Sequence, residues 1–167
     1  MISTILLLGH APLYLGDREN CPLFSGLHGP SFFGIVEVVA TLIEAECYDI
    51  NKEGFWGCTP LSGAAYNGHE EVVEILLRRR EVNPDKVDDD GQTPLLFAAR
   101  NGHEGVVKML LGRKEVNPGK PDNFGQTPLS IAAQCRHEGL VEILLGREEN
   151  DPDKPDNTGW AALSHSA

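Results

Sequence analysis

Val106, Val107, Leu110 and Leu111 recur at the spacing that gathers side chains on one face of a helix. They predict a short amphipathic helix opened by His103 and Glu104, whose carboxylate suits the positive end of the helix dipole. Upstream, Thr93 precedes Pro94: a hydroxyl that can cap a helix, then a proline that loses nothing at the first helical position. Gly102 marks the end of that first helix, and Ala98 with Ala99 gives it a small-residue face that lets neighbouring helices approach closely. From Val116 to Phe124 the segment VNPGKPDNF is rich in residues of extended turns. One unit therefore reads helix, turn, helix, long tip.

The same unit recurs. GCTPLSGAAYNGHEEVVEILL, GQTPLLFAARNGHEGVVKMLL and GQTPLSIAAQCRHEGLVEILL begin at Gly57, Gly91 and Gly125, a period of 34 residues. Neighbouring units agree at roughly 21 of 34 positions without a gap, far above what shared composition produces. A fourth start, GWAALSHSA, opens at Gly159 in the same register, with Ala161 and Ala162 where the others carry Thr and Pro. One period before Gly57, Leu23 to Trp56 aligns more weakly, with Pro30 and Ser31 in place of the paired alanines. A proline inside a helix predicts a first helix there that is short, bent or irregular. Atypical terminal units are how stacked repeats cap their ends.

These residues resemble the ankyrin repeat: the G-x-T-P-L start, the A-A pair, the G-H-x-x-x-V turn into the second helix and the V-N-x-x-D loop. The resemblance implies an all-α solenoid of stacked helix-turn-helix units with extended β-turn tips. Its expected parts are a lead segment at 1–22, helical and packed on the array, and a degenerate cap unit at 23–56. Full units follow at 57–90, 91–124 and 125–158, then a partial one at 159–167. The usual ankyrin unit is one residue shorter, and the extra residue is placed in the tip, which Pro118 and Pro121 stiffen. The near-identity of the units is similar to the long arrays of large fungal ankyrin proteins, where the array often follows a nucleotide-binding (NACHT-like) signalling module. No such module stands in these 167 residues.

The resemblance also implies a function. Ankyrin solenoids bind proteins through their tips and the concave, exposed side of their first helices. The family's freely varied positions fall on Phe55, Trp56, Tyr66 and Asn67 in the first full unit and on Phe97, Arg100 and Asn101 in the second. They fall on Phe124 and Gln134 in the third and Trp160 in the partial one. Gln92 and Ile131 belong to the same set. Aromatics are only 7% of the chain, yet every one from Phe55 onward lies in this set. Aromatic anchors carry much of the energy of protein interfaces, so these positions are the expected partner-binding residues. Neighbouring tips stacking rings as scaffold would leave the same trace. The alternative function is a passive spacer, or an array that associates with a second copy through its C-terminal end, the chain being a fragment of a larger signalling or immune receptor.

Composition narrows the field. Lys and Arg total 14 against 25 Asp and Glu, a net charge of −11 that repels a phosphate backbone and disfavours nucleic acid as a partner. The charge is uneven: the units at 57–90, 91–124 and 125–158 carry 4 − 8 = −4, 5 − 3 = +2 and 3 − 7 = −4, with Arg100 near the centre of the stack. Ile2 to Leu8 is apolar, but it lacks a basic flank and is short for a signal peptide, and no run is long enough to span a membrane. Cys21, Cys47, Cys58 and Cys135 form no C-x-x-C pair and are read as reduced thiols, so a cytoplasmic or nuclear location is expected. His69, His103 and His137 begin strings like the zinc-protease H-E-x-x-H but lack its second histidine, and turn or capping roles are expected instead. With no phosphate loop and no G-x-S-x-G elbow, neither catalysis nor a cofactor nor a metal is expected.

Overall fold

A computed structural model describes residues 26–45, 48–147 and 157. The expected lead segment at 1–22, the partial unit at 159–167 and Trp160 lie outside the described residues. Among those described, eight helices and no strand are present. They are α1 (His28–Phe32), α2 (Val36–Glu44), α3 (Pro60–Asn67), α4 (Glu70–Leu77), α5 (Pro94–Asn101), α6 (Glu104–Leu111), α7 (Pro128–Gln134) and α8 (Glu138–Leu145).

Each helix pair starts from the same local chemistry. Thr59, Thr93 and Thr127 accept at their hydroxyls from the backbone N–H of Ser62, Leu96 and Ser130, and each is followed by proline at the first helical position. Gly68 and Gly102 end α3 and α5 in the left-handed region, at φ 73° and 78°. A Cβ at Gly68 would also fall 2.5 Å from His103 Nδ1, so the close approach of the next unit demands glycine as much as the turn does. The third unit lacks this glycine. Arg136 takes up the left-handed turn there instead, at φ 60°.

Two rows result. The first helices α1, α3, α5 and α7 pack side by side, as do the second helices α2, α4, α6 and α8, with each pair closed on itself as a hairpin. The core lies between the rows. Val72, Val73, Leu76, Leu95, Val106, Val107, Leu110 and Leu144 are fully buried, and Ala64, Ala65, Ala98, Ala99 and Ala132 supply the small contacts between first helices. In the weak first unit α1 stops after five residues, with Pro30 within its first turn, where a missing N–H is tolerated. Leu27 and Val39 still enter the common core.

Bonds between units repeat with the sequence period. His69 Nε2 donates to the Phe32 carbonyl at 2.9 Å, His103 to Tyr66 at 3.0 Å and His137 to Arg100 at 3.1 Å. The histidines therefore do not cap their own helices, as a capping role would require; no side-chain cap bond is made at any of the three. They tie each unit to the one before. Arg113 and Arg147 donate to the carbonyls of Leu77 and Leu111, placing a cation on the unsatisfied end of the preceding second helix. The tips are chained as well: Asp89 N–H donates to Trp56 O, Asn123 to Asp90 O and Asn157 to Phe124 O, at 3.0 to 3.1 Å.

Candidate partner-binding face

The tips owe their shape to a carboxylate. Asp122 Oδ1 accepts from the N–H of Phe124 and Gln126, both at 2.9 Å, and Asp88 Oδ1 accepts likewise from Asp90 and Gln92. Gly54 stands in the equivalent place of the first tip and has no side chain to do this. That tip tightens instead into a 3-10 turn at Phe55–Gly57, with Trp56 in the left-handed region at φ 56°. The strained backbone throws Trp56 outward, 70% exposed, and Phe55 rests against it at 4.4 Å between ring centroids. Phe124, at the third tip, is likewise exposed.

On the first-helix row a second aromatic group forms. Phe33 meets Phe32 edge-on at 5.4 Å, Phe32 stacks on Tyr66 at 6.3 Å, and Tyr66 meets Phe97 edge-on at 5.9 Å. The line crosses three units. Gly63 lies against it, where an added Cβ would stand in ordinary contact with the Phe32 ring at 3.6 Å. Phe97 is half-buried in this contact, whereas Tyr66 at 43% and Phe33 at 54% keep much of their surface in water. Phe32 and Phe33 were absent from the expected set, although Phe32 lies one 34-residue period before Tyr66.

The remaining expected residues divide. Asn67 and Asn101 turn their amides back onto the carbonyls of Gly63 and Phe97, so their donors serve their own helices. Gln134 is exposed and accepts from Gln126 Nε2 at 3.3 Å. Arg100 is half-buried and pairs with no carboxylate among the described residues. Two positions of the family's variable set are not surface at all. Gln92, 8% exposed, is held at the neck of its tip by Asp88, and Ile131, 1% exposed, is packed into the first-helix row. The tip groups and the helix-row groups are thus two separate aromatic patches built by different causes.

Electrostatics at the tips is acidic. Burial raises the Asp88 carboxyl above its ordinary range, with Asp90 and Asp89 adding repulsion, while the N–H donors of Gln92 and Asp90 oppose it. Burial, and then the same three aspartates, push the Cys58 thiol up to about 11. A thiol so placed is a poor nucleophile. Among the described residues no cluster of His, Cys, Asp or Glu is arranged to hold a metal, and no helix is long and apolar enough to cross a membrane.

A comparison with curated proteins gave no match. The family model for ankyrin repeats, in three copies, matches residues 27–122 and 107–167. With repeated caps, hairpins and inter-unit bonds among the described residues and a family match over most of its length, the chain belongs to the ankyrin-repeat family.

Proposed function

We propose that the aromatic row Phe33, Phe32, Tyr66 and Phe97 is a docking surface for another protein, with the tip residues Phe55, Trp56 and Phe124 as a second contact. Ankyrin repeats are generally protein–protein interaction modules, and the family is typically non-enzymatic. One observation carries the reading. The rings touch one another along the row, yet Phe32, Tyr66 and Phe33 stay 36%, 43% and 54% exposed, so ring contact alone does not satisfy them. Large apolar surface held in water in a connected patch is what interfaces cover.

The near-identity of the units supports placing the chain among arrays like those of large fungal ankyrin proteins. The free thiols of Cys58 and Cys135 support a cytoplasmic or nuclear location. The test is a Trp56→Ser, Tyr66→Ser, Phe97→Ser variant beside the wild type in affinity capture from the native cell, with thermal melts of both. Loss of captured proteins with melting temperature nearly unchanged is expected. Unchanged capture together with a loss of several kcal/mol would make the rings scaffold and sink the reading.

A further inference from the structure

Phe32, Tyr66, Arg100 and Gln134 occupy equivalent places, each at or next to the last residue of its first helix and 34 residues from the next. Along the stack the row therefore reads aromatic, aromatic, cation, amide. Its aromatic half is knit by the ring contacts from Phe33 to Phe97. Its cationic half is doubled. Arg136 takes the left-handed turn after α7, and the bond from His137 to the Arg100 carbonyl draws that turn up beside Arg100. Neither guanidinium meets a carboxylate among the described residues, whereas Arg78, Lys86, Lys108 and Lys120 each hold one. Lys52, Arg80 and Lys114 are unmatched too, but Lys52 stands in the loop before the first tip and the other two follow the second helices, away from this row.

The carboxylates nearest in sequence, Glu104 and Glu138, open α6 and α8 just across the turns; Glu104 is held by Lys108 at 3.4 Å, and neither forms an ion pair with Arg100 or Arg136. The acidic groups of the tip stand at the other end of the helix. Asp89 and Asp90 belong to the tip before α5, and Arg100 sits near the end of α5, eight residues long. At 1.5 Å per residue that separates them by about 10 Å or more, roughly a Debye length in ordinary salt. The face is thus acidic along its tips, and where the first helices close it carries two arginines that no carboxylate among the described residues engages. An incoming carboxylate finds two planar forks unoccupied at that edge.

We infer that this row binds an acidic peptide segment carrying an apolar anchor. A large apolar side chain seats on Phe32, Tyr66 and Phe97, and a carboxylate reaches Arg100 and Arg136. The inference rests on the partner-binding reading above and adds the chemistry of the partner to it. Neighbouring helices pack about 8–10 Å apart, so the carboxylate lies one to two spacings from the anchor. In an extended chain, at about 3.3 Å per residue, that is roughly three to six residues.

Selection of phage-displayed random dodecapeptides on the full chain tests it. The expected pool carries Trp, Phe or Leu with Asp or Glu three to six residues away. A synthetic peptide from that pool should bind about fivefold more weakly to the Arg100→Gln, Arg136→Gln variant, as for a partly exposed ion pair, with the difference shrinking at high salt. Binding should be lost in Phe32→Ser, Tyr66→Ser; if that pair melts below the assay temperature, Phe32→Gln, Tyr66→Gln replaces it. Enriched peptides with apolar anchors but no acidic bias, bound equally by the arginine variant, would overturn the inference and leave the docking surface standing. Peptides bound equally by the aromatic variant would overturn both. Retention of phosphatidylserine vesicles, with no peptide enriched, would overturn it in favour of a lipid surface.

Discussion

Cys58 and Asp88 lie on either side of one tip contact, and each makes a prediction about a single group. With its thiol pushed up to about 11, Cys58 at pH 8 is thiolate in about one molecule in a thousand. Iodoacetamide labelling followed by peptide mapping should find the exposed Cys135 modified well before Cys58; equal rates would contradict the burial. Asp88 has a folded-state carboxyl raised above its ordinary range, so its charged form is the one the fold disfavours. Asp88→Asn keeps an oxygen for the Asp90 and Gln92 N–H groups and removes that charge. It should stabilise by a few tenths of a kcal/mol at pH 7. The gain should fade as pH falls toward 3, where Asp88 is neutral folded or unfolded; a gain that persists there would point to another cause. Local chemistry of this kind was legible in the sequence where both partners are close. Thr93 and its bond to Leu96 N follow from the T-P pair alone. The partner of His103 did not, because it is a carbonyl 37 residues back.

Helices here are set by stripes, and the stripes were readable. Leu110 and Leu111 were expected in the core and are 0% and 7% exposed. Leu110→Ala should lose about 2–5 kcal/mol in urea denaturation. A near-neutral result would misplace α6. What the stripe could not show is how a helix ends when its usual residue is missing. Arg136 holds the left-handed turn that Gly68 and Gly102 hold elsewhere, at a penalty of about 1 kcal/mol for a side chain. Arg136→Gly should therefore raise stability by about that much while weakening any acidic peptide bound at Arg100. A variant that gains stability and keeps full affinity would separate Arg136 from the face. Phe32 was overlooked for a different reason: the expected binding positions were taken from the well-matched units only, although the alignment that sets Pro30 and Ser31 at the paired alanines also sets Phe32 at the place of Tyr66. Gln92 and Ile131 were misjudged as surface because family variability is an average over arrays. In this chain the Asp88 tip and the packing of the first-helix row bury both.

At the scale of the molecule, stability is nearly one-dimensional, since units meet only their neighbours in the two rows. Deleting 91–124 should leave a folded stack, because His137 then faces the Tyr66 carbonyl that His103 used. Far-UV circular dichroism per residue should be nearly unchanged and the melting temperature lower; collapse to a random coil would mean the units are not equivalent. The same bonds reach further. Each histidine donates to the backbone oxygen of a residue whose own side chain belongs to the first-helix row: Phe32, Tyr66 and Arg100. A backbone oxygen is the same whatever side chain it belongs to. The joint that fastens one unit to the next is therefore blind to what is written at that position, and the row can be respelled, ring to cation, without loosening the stack that carries it.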